Sequence, residues 1–283
     1  MTKDFYSIKV PAKINLFLNI INKRKDGFHN ILSGITFINL YDKITIKKSK
    51  KFILDYSGEF KPKNKYFEDD IILKTMSILN LKDDSKIHIK IEKNIPTLSG
   101  LGSASTNAAA FIKCLNFFSL IEKIDENLLS FVGSDVSACY YSRDCLLKGK
   151  GDIIDFNVNF PKIYILLIKP NINISTSKMY SKIKNFSNIK NNKSFLKDKF
   201  ILDNLKNYQN IFQKIAEQEH PEIKNLLIFL SKIENCVFSR MSGSGSCCYA
   251  VFREKKYAIN ALKLMKFSYP DLWSIIGENK IKI

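Results

Sequence analysis

Residues 93–116 read KNIPTLSGLGSASTNAAAFIKCLN, and their change of character half-way along decides the fold. Just before them Ile87, Ile89 and Ile91 alternate with polar residues, the period of a half-buried strand. A loop containing Pro96, Gly100 and Gly102 follows, and then Ala104, Ala108, Phe111, Ile112 and Leu115 recur near helical spacing. Strand, glycine loop and helix in that order predict an α/β chain. The loop also suggests chemistry. Glycine lacks a Cβ and lets backbone approach an anion, while the first turn of a helix offers unpaired N–H groups and the positive end of the dipole. The hydroxyls of Ser103, Ser105 and Thr106 add donors or a metal contact. No G-K-[ST] closes the loop, so it is not a P-loop, and the dinucleotide G-x-G-x-x-G spacing is absent as well. The plain alternative is an N-cap with a flexible entry.

Working outward, Pro11-Ala12-Lys13-Ile14-Asn15-Leu16-Phe17-Leu18 predicts a strand with Lys13 and Asn15 on one side and Ile14 and Leu16 on the other. A lysine inside an apolar strand is costly unless it is paired or used. Lys25-Asp26-Gly27-Phe28-His29 reads as a turn followed by an aromatic and a histidine, and Ile44 and Ile46 predict a further strand. Gly133-Ser134-Asp135-Val136 puts a carboxylate before a small-residue stretch, where an N-cap is the plain explanation. Beyond the region Asn157–Pro161, the candidate domain boundary, the chain predicts a buried strand at Ile163–Ile168 and a polar segment from Ser181 to Lys199 that suits a loop, a lid or weak helices. Helical patterns return over Leu205–Ala216 and Ile223–Ile233. A Gly-Ser turn (Ser242, Gly243, Ser244, Gly245, Ser246), a strand at Cys247–Phe252, a helix at Lys255–Met265 and a strand near Trp273–Ile276 complete the chain.

The 283 residues carry 45 basic and 27 acidic side chains, a formal charge of +18, with 45% hydrophobic residues. That much apolar content excludes a disordered polyelectrolyte. Arginine occurs only at Arg24, Arg143, Arg240 and Arg253, and the lysines are scattered along the chain. Bidentate recognition of bases and phosphates favours arginine, so the excess reads as a solvated surface rather than a nucleic-acid footprint. Cys114, Cys139, Cys145, Cys236, Cys247 and Cys248 form no C-x-x-C pair, which disfavours zinc. The start, MTKDFYSIKV, lacks an apolar signal core, and no apolar run approaches the ~20 residues of a spanning helix. A cytoplasmic chain that does not enter a membrane is expected.

Taken together and in register, Pro-x-x-x-Gly-Leu-Gly-Ser-x-Ser, Pro11-Ala12-Lys13-x-Asn15 and Ser242-Gly243-Ser244-Gly245 resemble the motifs of the galactokinase, homoserine kinase, mevalonate kinase and phosphomevalonate kinase (GHMP) superfamily. PAKINLFLNI joined to KDGFHNI and later GSDV resembles, more narrowly, the branch that phosphorylates the 2-hydroxyl of 4-(cytidine 5′-diphospho)-2-C-methyl-D-erythritol in the non-mevalonate isoprenoid route. The resemblance runs from about Val10 to Phe252. It implies a two-domain α/β (α+β) kinase, with an ATP-binding half over 1–157 like the second domain of ribosomal protein S5 and a ferredoxin-like half over 158–283. It implies Asp135 as general base with Lys13 as its partner, and ATP and Mg²⁺ as cofactors. The nucleotide residues would be Lys93, Pro96, Thr97, Leu98, Ser99, Gly100, Leu101, Gly102, Ser103, Ala104, Ser105 and Thr106, together with Ser242, Gly243, Ser244 and Gly245. On the acceptor side it implies Phe28 and His29 at cytosine, Tyr180 as the opposite aromatic wall, Lys150 through its backbone, and Thr176 and Asn15 near the erythritol and diphosphate.

Several residues depart from that pattern. The family commonly has Tyr at Phe28 and Phe at Tyr180, so the phenol changes sides; Asp70 stands where Asn is usual, Ser137 where Pro is usual, and Ser103-Ala104 where many members have Gly-Gly. The partners expected are small molecules, without nucleic acid or membrane, and the oligomeric state, monomer or homodimer, is left open. Two other readings stay in view: another GHMP kinase, of mevalonate or homoserine type, and a basic RNA-binding protein.

Overall fold

The computed structural model describes residues 4–63, 70–81, 86–121, 124, 126–187 and 200–281. The polar segment 181–199, expected to be a loop, a lid or weak helices, lies outside the described residues from 188 onward. The chain forms two compact units that interleave along the sequence: one comprises Met1–Ala12, Leu40–Thr97 and Gly102–Ser142, the other Lys13–Asn39, Leu98–Leu101 and Arg143–Ile283.

Two long strands, β1 (Phe5–Lys23) and β2 (His29–Lys48), pair with each other and run through both units. In the first unit the second half of β2 pairs antiparallel with β4 (Ile87–Glu92), from Lys43 opposite Glu92 to Lys48 opposite Ile87. β3 (Ile53–Ser57) lies parallel on the other side of β4. The alternation of Ile87, Ile89 and Ile91 places all three on the buried face, where they join Ile44, Ile46, Ile72 and Met76 around Phe111. Ile72 and Met76 come from α1 (Ile71–Ile78) and Phe111 from α2 (Ser103–Phe117). α2 is buried along much of its length, and Ala108, Ala109 and Ala110 let it lie close to its neighbours. Two shorter helices, α3 (Glu126–Val132) and α4 (Val136–Tyr141), complete the unit.

In the second unit the first half of β2 pairs with β5 (Cys145–Gly149), which forms a hairpin with β6 (Ile153–Asp155). Gly34 on β2 leaves room for a ring: a Cβ there would stand 2.4 Å from Phe17 Cε1. Phe17 in turn stacks on Tyr208 at 4.6 Å, and Phe160 meets Phe200 at 4.9 Å. The same unit holds a four-stranded antiparallel sheet in the order β10-β7-β9-β8, built from β7 (Tyr164–Lys169), β8 (Phe238–Met241), β9 (Cys248–Phe252) and β10 (Trp273–Glu278). Helices α5 (Thr176–Ser181), α6 (Leu202–Leu205), α7 (Ile211–Glu219) and α8 (Pro221–Ser231) connect β7 to β8, and α9 (Lys255–Ser268) connects β9 to β10. This is the β-α-β-β-α-β order of a ferredoxin-like half. α8 packs on it through Ile223, Leu226, Leu227 and Leu230, and α9 through Ala258, Ala261 and Met265.

The helix expected over Leu205–Ala216 is not continuous. α6 ends at Leu205, and Asn210 interrupts the run by taking extended backbone and accepting the N–H of Phe212 through its side chain, which starts α7 afresh. The other elements expected around Ile163, Ile223, Cys247, Lys255 and Trp273 are present.

The core of the first unit gives a simple prediction. Phe111 is fully buried, so Phe111→Ala should lower unfolding free energy by about 3–5 kcal/mol, read as a shifted midpoint in urea. An unchanged midpoint would contradict this packing.

Candidate active site

In the second unit, Lys13 and Asn15 lie two residues apart on β1 and both are buried, at 3% and 2% exposure. Spacing of two puts them on one face, and the Lys13 ammonium donates to Asn15 Oδ1 at 2.7 Å. Asn15 Nδ2 donates to Ser33 Oγ on β2 at 2.8 Å, and that hydroxyl donates to Phe17 O at 2.7 Å. The Asn15 N–H donates to Ser242 Oγ, 3.2 Å away, and Ser242 donates onward to Gly100 O at 2.9 Å. These bonds join the strand carrying Lys13 to both glycine-containing turns. Lys13 N–H also donates to Leu101 O (2.9 Å), and Cys247 N–H donates to Ser99 O (3.0 Å). The approach is too close for a side chain: at Gly100, with φ +75°, a Cβ would stand 2.0 Å from Ser242 O.

Asn210 secures the C-terminal turn by donating through Nδ2 to Met241 O and to Gly243 O, each at 2.7 Å. Ser244 and Thr176, the latter opening α5, share a hydrogen bond of 2.7 Å between their hydroxyls. Arg240 is buried and donates to the carbonyls of Leu16 and Tyr208, and Tyr249 donates its phenol proton to Asn15 O at 3.0 Å. Burial pushes the Tyr249 phenol up to about 12, so it stays a donor at neutral pH.

The aromatic residues of this unit form their own group. Arg24 and Asp26 close the turn that presents Phe28, which is 57% exposed with the Lys150 ammonium 5.5 Å from its ring centre. Lys150 occupies the β5–β6 turn, where its N–H donates to Asp152 at 3.1 Å. His29 stacks on Tyr180 at 5.2 Å, with Phe186 at 6.4 Å, and Tyr180 meets Phe212 edge-on at 4.9 Å. Partial burial, seconded by the Lys23 charge, lowers the His29 pKa, leaving a neutral ring able to donate at one nitrogen and accept at the other.

In the first unit, α2 starts at Gly102, whose φ of +70° is left-handed and which has no side chain to cap the helix. The first turn carries no acidic residue. Its first-turn N–H groups thus receive no side-chain cap from Gly102 and no carboxylate from the turn itself, the arrangement of a helix start that can receive an anion. Two of the three hydroxyls read as donors are used internally. Ser103 bonds to Lys93 and Asp42, and Thr106 Oγ1 donates to Ser103 O at 3.0 Å. Lys93 is buried and ion-paired with Asp42 at 2.5 Å. Ala104 is exposed and Ser105 half-buried; of the loop before them, Pro96 is buried and Thr97 and Leu98 are exposed. Asp135 is the N-cap residue of α4, but its carboxylate makes no capping bond to that helix, so the plain reading of the motif does not account for it. Asp70, which departs from the family pattern, caps α1 by accepting the N–H groups of Ile72 and Leu73 and also takes the Tyr56 hydroxyl at 2.6 Å.

Sequence reading passed over Ser33, Asp42, Asn107, Asn210, Arg240 and Tyr249. For most of them no motif exists, because their partners are carbonyls or hydroxyls far away in the chain. Arg240 carried a faint signal as one of only four arginines.

Residues 70–143 match the family described as GHMP kinases N terminal domain, and residues 196–271 match GHMP kinases C terminal. A protein of Pelagibacter ubique (strain HTCC1062) named 4-diphosphocytidyl-2-C-methyl-D-erythritol kinase is 38% identical over 95% of this chain and 97% of its own length. One of the same name from Ehrlichia canis (strain Jake) is 34% identical over 97% and 98%. The chain belongs to the 4-diphosphocytidyl-2-C-methyl-D-erythritol kinase family of GHMP kinases. A crystal structure of 4-(cytidine 5′-diphospho)-2C-methyl-D-erythritol kinase aligns with a TM-score of 0.78 at 20% identity, over 98% of this chain and all of that one, which establishes the shared fold. In this chain Ser242 Oγ donates to Gly100 O within the second unit, and Ser103 Oγ donates to Asp42 within the first.

One measurement follows from this geometry. An NMR titration of His29 should give a midpoint below the ordinary ~6.5, since burial and Lys23 both disfavour the imidazolium; a midpoint above it would contradict the ring's placement. Because the folded-state pKa is lowered, the folded protein binds less proton here, and any stability this group contributes is present above the unfolded value and lost as pH falls from there through the folded one.

Proposed function

We propose that the chain transfers the γ-phosphoryl group of ATP to the 2-hydroxyl of 4-(cytidine 5′-diphospho)-2-C-methyl-D-erythritol. Kinship with enzymes of that name supports the reading. The structural observation that carries it is the buried run from the Lys13 ammonium through Asn15 and Ser242 to Gly100, which connects a catalytic-type lysine to a phosphate-type loop. Phosphoryl transfer needs alignment, removal of one proton and neutralisation of oxygen charge more than covalent help. The acceptor oxygen forms the new bond to the γ-phosphorus as the bond to the bridging oxygen of ADP breaks. Asp135 is assigned the hydroxyl proton, a role compatible with a half-buried carboxylate that does not cap its helix. Lys13 is assigned to favour the ionised form of the reacting groups.

The first turn of α2 and the residues Lys93 and Pro96–Thr106 are assigned to the triphosphate and adenine side, with Ser242–Gly245 closing on the phosphates. Mg²⁺ would accompany ATP, supplying charge neutralisation at the phosphate oxygens. Among the described residues no group of three or more His, Cys, Asp or Glu side chains could hold an ion by itself. Mg²⁺ commonly keeps several waters and takes few protein ligands. Ser105, half-buried in the first turn of α2, is the residue assigned to touch such a hydrated ion. The cytidylyl group is assigned to Phe28, His29, Tyr180 and the Lys150 backbone, with Asn15 and Thr176 toward the erythritol and diphosphate. Stacking contributes roughly 1–3 kcal/mol per aromatic face, which favours a nucleobase-bearing acceptor over a bare sugar alcohol.

The family domains are proposed to divide at 157/158, since the two family matches fall on either side of that point. A cytoplasmic location is proposed from six cysteines outside any disulfide, with Cys114 and Cys247 pushed by burial up to about 12 and so kept unreactive. Among the described residues no helix is long and apolar enough to cross a membrane. The proposed partners are small molecules rather than nucleic acid.

Purified protein given ATP, Mg²⁺ and the cytidylyl substrate should release ADP, with CMP or CDP competing; absence of ADP would overturn the reading, and mevalonate or homoserine should not substitute. Asp135→Ala should lower kcat by about 10²–10⁴ while ATP still binds in calorimetry. A near-native rate would remove Asp135 as the base.

A further inference from the structure

Asp42 is fully buried, and none of the roles assigned above uses it. It lies on β2, one residue before the pairing of Lys43 with Glu92 that ends the ladder with β4. Its Oδ1 accepts the backbone N–H groups of Asn94 at 2.7 Å and Ile95 at 2.8 Å. Its Oδ2 accepts from the Lys93 ammonium at 2.5 Å and from Ser103 Oγ at 3.2 Å, and Lys93 also bonds to that serine hydroxyl. One carboxylate thus binds the end of a strand, the entry to the glycine loop and the first residue of α2.

The backbone around Lys93 is fixed as well. Its N–H donates to Ser57 O at 2.8 Å, and its carbonyl accepts from Phe60 at 3.0 Å. Gly58, at φ +91°, approaches so closely that a Cβ would stand 2.5 Å from Lys93 O. A buried ion pair recovers its desolvation cost only when the remaining donors and acceptors are satisfied, and here four donors converge on Asp42. Burial lowers the Lys93 pKa, and the Asp42 charge opposes that shift. The ammonium is committed to the protein interior. What Lys93 and Ser103 offer a nucleotide therefore depends on where Asp42 holds them.

We infer that Asp42 is a positioning residue for ATP: through Lys93, Asn94, Ile95 and Ser103 it fixes the loop entry and the first turn of α2 in the arrangement that receives the nucleotide. The inference rests on the ATP-dependent reading given under Proposed function. It requires that loss of Asp42 weaken ATP selectively, because none of its bonds involves a residue assigned to the cytidylyl group.

The test compares wild type, Asp42→Asn, and Asp42→Asn combined with Lys93→Met, measuring kcat, both KM values and Tm. Asp42→Asn leaves an ammonium buried without its counter-charge, so Tm should fall, and KM for ATP should rise about tenfold or more, as expected for loss of a hydrogen-bonded charge. KM for the cytidylyl substrate should stay essentially unchanged. The double variant removes both charges and should regain much of the lost Tm while KM for ATP stays high, since the tie between loop and helix is still missing. Return of KM for ATP to the wild-type value along with Tm would overturn the inference, as would an equal rise in both KM values. A double variant that does not fold would make the pair a folding device and would overturn it too. Wild-type turnover is the separate check on the reaction itself: wild type without activity sinks the proposed function, whereas active wild type with unaffected variants sinks only the role of Asp42.

Discussion

The burial of a lysine ammonium on β1 is the constraint around which the second unit is built. An isolated charge in an apolar strand would be strongly unfavourable, so Lys13 must find polar company, and Asn15 two residues on provides it. Asn15 can serve only if its own amide is satisfied. Ser33 takes Nδ2, Ser242 takes the backbone N–H, and Tyr249 donates to the backbone carbonyl. Each bond recruits a different part of the chain, so satisfying one lysine draws β2, β9 and both glycine turns into a fixed relation with the strand. Low dielectric makes such a network stringent, because any member left unpaired costs more than it would in water.

Small residues matter for the same reason. Gly100 and Ser242 meet at a separation that no side chain at Gly100 would allow, and Ser242 Oγ both accepts from Asn15 and donates to Gly100. In the first unit the equivalent brace is electrostatic, with Asp42 gathering Lys93 and the backbone N–H groups of Asn94 and Ile95 after β4 together with Ser103 at the start of α2. The loop is flexible in composition and rigid in context. A site that must align an anion gains from donors placed beforehand, since little reorganisation is then needed when the ligand arrives.

The charge of +18 takes on a restricted meaning in this setting. ATP and a cytidine-diphosphate-linked alcohol are both polyanions, and a positive field raises the encounter rate of such ligands. The lysines with specific tasks are nevertheless few. Lys13 and Lys93 are buried and committed to hydrogen bonds, and Lys150 stands over the Phe28 ring, whereas Lys255, Lys256, Lys263 and Lys266 of α9 are exposed. Net charge describes the surface; the chemistry depends on the exceptions.

Local pattern alone marked the strand–glycine loop–helix unit and the later succession of strands and helices, while the resemblance to the kinase family supplied the ferredoxin-like half and the candidate roles of Lys13, Asp135, Phe28 and His29. These depend on period, turn chemistry and short spacing, all of which are written in contiguous sequence. It failed at Leu205–Ala216, where helical periodicity continued across Asn210 although that residue's side chain starts a new helix and its amide holds the Met241–Gly243 turn. It also gave no sign that Asp42 braces Ser103, 61 residues away, or that Ser242 meets Asn15 across 227. Sequence nominated groups with the residue types that phosphoryl transfer uses, because residue type and motif spacing are written in contiguous chain. Only the tertiary structure decided which of them are held, and by what, because a buried polar group is satisfied by whatever partner the folded chain brings within about 3 Å, at any distance along the chain.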